Sequence, residues 1–129
     1  MTPMRAPLNE RQMRKRFWLA AAGSLLAGIA VALAAYSAHA GGVDVDARGK
    51  LLNACLFALV HGIALAALAP LAVRRMALLG LLAILIGTLL FSGSVIAGHL
   101  LGTSTALAPV GGLLLIGGWV LHAIGQWRR

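Results

Sequence analysis

Four histidines (His39, His61, His99 and His122), the hydroxyls of Thr88, Ser92 and Ser94, and one amide, Asn53, carry nearly all the chemistry in the apolar part of this chain. Neutral imidazole can ligate a metal or haem, form hydrogen bonds, or move a proton near neutral pH. Hydroxyls on helices have a simpler use, since Ser and Thr bond back to the carbonyl one turn earlier. Thr88, Ser92 and Ser94 therefore need no functional explanation. The three acids are Glu10, Asp44 and Asp46, and none falls inside a long apolar run.

His61 stands near the middle of the second apolar run, Leu51 to Val73. An imidazole there needs a partner, and Ser92 or Ser94, at similar depth on the next run, is the expected one. Two readings stand side by side: a neutral histidine hydrogen-bonded between helices, or a group that binds a ligand or handles a proton. His39 and His99 fall near the outer ends of their runs. Two imidazoles at one level suit a haem or a metal, but interfacial histidines are also ordinary, because the polar tip reaches water. No Glu-x-x-His or Cys-x-x-Cys-His spacing supports ligation. No metal and no cofactor are expected, with haem held by His39 and His99 as the alternative. His122 lies toward the far end of the last run, too distant in depth to join them.

Enzymatic groups are missing from the pattern. No Ser/His/Asp arrangement, no Gly-rich loop followed by Lys and no His-Glu-x-x-His occurs, so no catalytic residue is assigned. A span without Asp, Glu, Lys or Arg lacks the charged relay of a proton-coupled pump. The lone Cys55 excludes a disulfide framework.

The elements that must position these groups follow from composition. The 129 residues are 60% hydrophobic and 11% charged, less than half of the roughly one quarter charged that a soluble domain carries. Charge-free runs lie at about 17–38, 51–73, 76–100 and 106–126. Each offers the about 20 apolar residues that cross a hydrocarbon core of about 30 Å. Backbone groups in lipid must pair within the segment, so each run is expected to be a helix. The fold class is all-α: a four-helix transmembrane bundle (17–129) behind a basic N-terminal tail (1–16). Short links make consecutive helices antiparallel neighbours. Pro70 is expected to end the second helix near Ala69. Ser104 or Thr105 is expected to cap the fourth, with Pro109 in its first turns. Residues 1–9 read as a disordered tail, and 10–16 as an extension of the first helix into the headgroup region.

Eleven Lys and Arg give a net charge of +8, which first suggests nucleic acid. The clusters, however, are short, separated by apolar runs and free of interleaved aromatics, so nucleic-acid binding is not expected. They report orientation instead. Arg5, Arg11, Arg14, Lys15, Arg16, Arg74, Arg75, Arg128 and Arg129 fall on one side, and Arg48 and Lys50 on the other. Both termini should face the cytoplasm. The basic start and Ala38-His39-Ala40 imitate a cleavable signal peptide, but the first run exceeds the usual 7 to 15 apolar residues. The first helix is expected to be retained.

Small residues mark the packing faces. Gly111, Gly118 and Gly125 recur every seven residues in the fourth run, and Gly80, Gly87 and Ser94 in the third, with Gly98 one turn further. Gly23, Ala27, Ala30 and Ala34 line the first. Close backbone approach across small residues drives helix association in lipid. Packing within one bundle is the simpler reading, and a face reserved for another subunit the sharper one.

Several of these residues fall in a pattern that resembles a known family. Ala38-His39, His61, Phe91-Ser92-Gly93-Ser94, Pro109-Val110-Gly111-Gly112 and Gly118-Trp119 are similar to the small inner-membrane proteins of domain of unknown function 423, the YgdD type, akin to eukaryotic transmembrane protein 256. The resemblance runs from about Gly23 to Trp127. Where the family usually follows Ala-His with Gly-Leu, this chain has Ala40-Gly41. Where it usually places Tyr before the second-helix histidine, this chain has Val60, so a Tyr–His pairing is missing. The resemblance implies a four-helix membrane protein and names no activity.

The expected function is that of an uncharacterised, non-enzymatic inner-membrane protein in a bacterial cell, an accessory, assembly or structural component acting through helix packing. Its partners would be the lipid bilayer and another membrane protein or a second copy. The alternative is binding or passage of a small molecule or ion through a cleft lined by His39, His61, Ser92, Ser94 and His99, open to the outer side.

Overall fold

The computed structural model describes residues 9–127. Residues 1–8, the first half of the expected 1–16 tail, and Arg128-Arg129 lie outside the described residues. Four helices follow one another: α1 (Glu10–His39), α2 (Val45–Leu68), α3 (Arg75–Leu101) and α4 (Ala108–Trp127), with a 3-10 turn at Ala69–Leu71. No strand occurs among the described residues. All four helices are long and apolar enough to cross a membrane.

Local chemistry sets the boundaries. Asn9 caps α1, its Oδ1 accepting from the Arg11 amide at 2.9 Å, and Glu10 adds a negative charge to the first turn. The basic segment 10–16 is thus helical, and α1 reaches 30 residues. That length, about 45 Å, exceeds the apolar core by several turns. α2 begins at Val45, six residues before its charge-free run, because the Asp44 carboxylate accepts from the Ala47 amide and the polar residues 46–50 tolerate helix. Arg48 donates from Nη2 to the Ala40 carbonyl at 2.7 Å, pinning the first link. Pro70 ends α2 by turning it into the 3-10 segment.

At the far end of α3, Gly102 adopts φ 68°, the left-handed conformation that glycine takes without a Cβ penalty. α4 starts at Ala108, two residues later than its charge-free run. The preceding residues are used locally: Ser104 Oγ accepts from the Ala106 amide at 3.2 Å, and the Thr105 carbonyl from the Ala108 amide at 3.0 Å.

α1 packs mainly on α2, and α3 mainly on α4, while α2 and α3 join the two pairs. Ala77, Gly80 and Gly87 of α3 meet Gly125, Gly118 and Gly111 of α4, so numbers rise along one helix as they fall along the other. Arg16 and Gly23 of α1 meet Pro70 and Gly62 in the same reversed order. The core gathers where α1, the end of α2 and the start of α3 converge, around Leu19, Leu65, Ala69, Ala72, Ala77, Leu81 and Ile84. Large apolar side chains such as Leu25, Leu113 and Ile116 point outward, as lipid-facing residues do.

Candidate functional site

Helical spacing fixes the ring of His61. Phe57 lies one turn earlier on α2, and its carbonyl accepts from His61 Nδ1 at 2.7 Å. A carbonyl only accepts, so Nδ1 carries the hydrogen and the neutral ring keeps its lone pair on Nε2. The same spacing stacks the imidazole on the Phe57 ring, with centroids 5.8 Å apart and planes 12° apart. Phe57 tilts against Phe91 of α3 at 4.9 Å. His61 also meets Trp119 of α4 at 6.0 Å, and Trp119 meets His122 edge-on at 6.1 Å. Two histidines and three aromatics from three helices thus form one continuous group. Aromatic pairs of this kind contribute about 0.5–1.5 kcal/mol each beyond their buried area.

Glycine brings α4 close enough for this. A Cβ on Gly80 would stand 2.6 Å from the His122 amide nitrogen, and one on Gly118 would stand 2.8 Å from the Gly80 carbonyl. Gly87 and Gly111 are matched as tightly, and a Cβ on Gly125 would meet the Ala77 nitrogen at 2.7 Å. Gly98 differs: its neighbours are Thr105 and the Thr103 carbonyl of its own following loop, not a helix face. On α1 the Gly23 and Ala27 backbones face Gly62 of α2.

In chemical terms the cluster offers a bare acceptor at His61 Nε2 and a buried, unpartnered nitrogen at His122 Nδ1. Both histidines are buried. The nearest acid in α2, Asp46, lies about four turns before His61. The group packs aromatic rings around two buried histidines.

A family model described as "Protein of unknown function (DUF423)" matches residues 33–112, more than half of the chain. The chain belongs to this family. Among curated proteins and among solved structures, none matches it. The match in this DUF423 chain is shorter than the stretch of sequence resemblance. It takes in His39, Phe57, His61, Phe91, Ser92 and His99 but stops before Trp119 and His122.

Of the five residues of the expected cleft, His39, His61 and Ser94 bond to backbone carbonyls of their own helices. His39 Nδ1 donates to the Ala35 carbonyl at 2.8 Å and is exposed at the end of α1. Ser94 Oγ donates to the Phe91 carbonyl at 3.1 Å. Ser92 is buried with its Oγ unpartnered, and His99 is half-buried. No hydrogen bond or ring contact joins any two of the five among the described residues. The expected His61–serine bond is not formed; His61 Nδ1 bonds to the Phe57 carbonyl of its own helix. No group of three or more His, Cys, Asp or Glu gathers among the described residues.

His122, set apart from His39 and His99 by depth counting, is linked to His61 through Trp119. The signal was present in the sequence: Phe57 and His61 are four apart, and Trp119 and His122 three apart, so each pair shares a helix face.

Proposed function

We propose that this DUF423 chain is a non-enzymatic accessory or assembly component of a bacterial inner membrane, acting through helix packing. In this reading neighbouring helices are antiparallel and both termini face the cytoplasm. Support for the topology comes from the surplus of Lys and Arg at one end of the helices.

One observation carries the association role. Of the stripe Gly23, Ala27, Ala30 and Ala34, Gly23 and Ala27 face α2, and Gly23 and Ala30 are buried. A second small-residue stripe on α1, Ser24, Gly28 and Ala32, is exposed, and a Cβ on Gly28 would meet nothing within 4 Å. Ser24 satisfies its own hydroxyl by donating to the Ala20 carbonyl at 3.1 Å, so it leaves no polar demand on a partner. Such small-xxx-small stripes let a second helix approach closely in lipid. Extraction in mild detergent, crosslinking and mass measurement test this: an associated species is expected, and a strict monomer with no co-purifying protein contradicts it.

A further inference from the structure

The basic end of the molecule holds a groove that the packing role does not use. It has a volume of about 860 Å³ and lies between α1 and α3. Binding sites for small molecules span about 300–1,000 Å³. The groove exists because α1 and α3 both pack on α2, α1 also on the 3-10 turn, while touching each other little.

Each wall is a single helix face read along its length. On α1 the face runs Arg11, Arg14 and Lys15, then Trp18; on α3 it runs Arg75, then Leu78, Leu79 and Leu82. Both follow the i, i+3/i+4, i+7 spacing of one helix side. Each therefore changes from cationic to apolar over about 10 Å of rise. The four cationic side chains are exposed, as are Trp18, Leu79 and Leu82. No acid lines the groove among the described residues. α3 also starts there with no side-chain cap at Arg74, so its first amides point their partial positive charge at the same rim.

We infer that this groove binds an anionic phospholipid, its phosphate on the Arg11, Arg14, Lys15 and Arg75 rim and an acyl chain along Trp18, Leu78 and Leu82. A ligand charged at one end and apolar at the other matches both walls at once. A soluble phosphate would leave the leucine floor uncovered, and a hydrocarbon chain alone would leave the cations unmatched. The indole at the change of character suits the interfacial level, where Trp is enriched.

This inference rests on the membrane-spanning reading of the four helices, and resistance to alkaline carbonate extraction tests that reading separately. For the groove itself, the full chain in mild detergent is mixed with equal amounts of dioleoyl phosphatidylglycerol and dioleoyl phosphatidylcholine. Retained lipid is then weighed by native mass spectrometry. Wild type should keep phosphatidylglycerol preferentially. The double variant Arg14→Gln/Arg75→Gln, with an unchanged circular dichroism spectrum, should lose about fivefold in retention for each cation removed. Lys50→Gln, near the start of α2 and so at the other end of α1, should behave as wild type. Equal retention of the two lipids, an equal loss in Lys50→Gln, displacement by inorganic phosphate at millimolar level, or a dimer that excludes lipid would each overturn it.

Discussion

The Gly80 carbonyl lies 2.8 Å from where a Cβ on Gly118 would stand, and the Gly118 carbonyl 2.7 Å from the corresponding point on Gly80. Each backbone occupies the volume that any other residue would need on its partner. This contact, repeated at Gly87 and Gly111, sets how near α4 comes to α3, and so where Trp119 and His122 stand.

Two neighbouring glycines on α4 should therefore respond in opposite directions. Gly118→Ala forces its methyl against the backbone of α3 and should destabilise the fold by on the order of 1–3 kcal/mol. A Cβ on Gly117 would meet nothing within 4 Å, so Gly117→Ala should stabilise by about 0.5–1 kcal/mol through helix propensity. Thermal melts of the full chain in one detergent compare the two. A matching loss in both variants would mean that the contact is not tight.

The histidine–aromatic group should be energetically coupled. A double-mutant cycle on Phe57→Ala and His61→Ala is expected to give a coupling of about 0.5–1.5 kcal/mol. Thr88 supplies a contrast, since its hydroxyl donates to the Ile84 carbonyl of its own helix at 2.7 Å and is fully buried. Removal of that self-bond in Thr88→Val should change stability by less than about 1 kcal/mol. A Thr88 effect larger than that of His61 would shift the centre of the site toward α3.

Gly102 makes the turn out of α3 at φ 68°. Gly102→Ala should cost about 1 kcal/mol, while Gly93→Ala, with open space around its Cβ, should not destabilise. Denaturation midpoints of the two variants test this difference. Equal midpoints would place the strain elsewhere.

The sequence made the four helices legible because nothing but a self-bonded helix satisfies an apolar run of that length in lipid. Their ends were less legible. Asp44 starts α2 ahead of its apolar run, and Ser104 spends its hydroxyl on Ala106 before α4 begins. The heptad glycines of α3 and α4 pointed to close packing, yet Gly98 faces its own loop. Counting residues for depth set His122 apart from His39 and His99 and drew no link from it to His61. What joins His122 to His61 is Trp119, whose indole bridges the two rings sideways, and lateral reach of a large side chain is invisible to depth along one helix. The groove was hidden for a similar reason. Arg14 and Arg75 read as orientation signals in the chain, and only the splay of α1 from α3 sets them on one rim.

In the proposed reading the uncovered α1 stripe mediates association while the covered stripe holds the bundle together. The most direct measurement is the mass of the complex extracted from native membranes for wild type, Gly28→Leu and Gly23→Leu. A Cβ on Gly23 would stand 2.6 Å from the Gly62 carbonyl, so Gly23→Leu should disrupt folding itself. Gly28→Leu should keep the wild-type melt and circular dichroism but fall to the monomer mass. A wild-type protein that is already monomeric, or a Gly28→Leu variant that keeps its partner, would rule out association through this stripe.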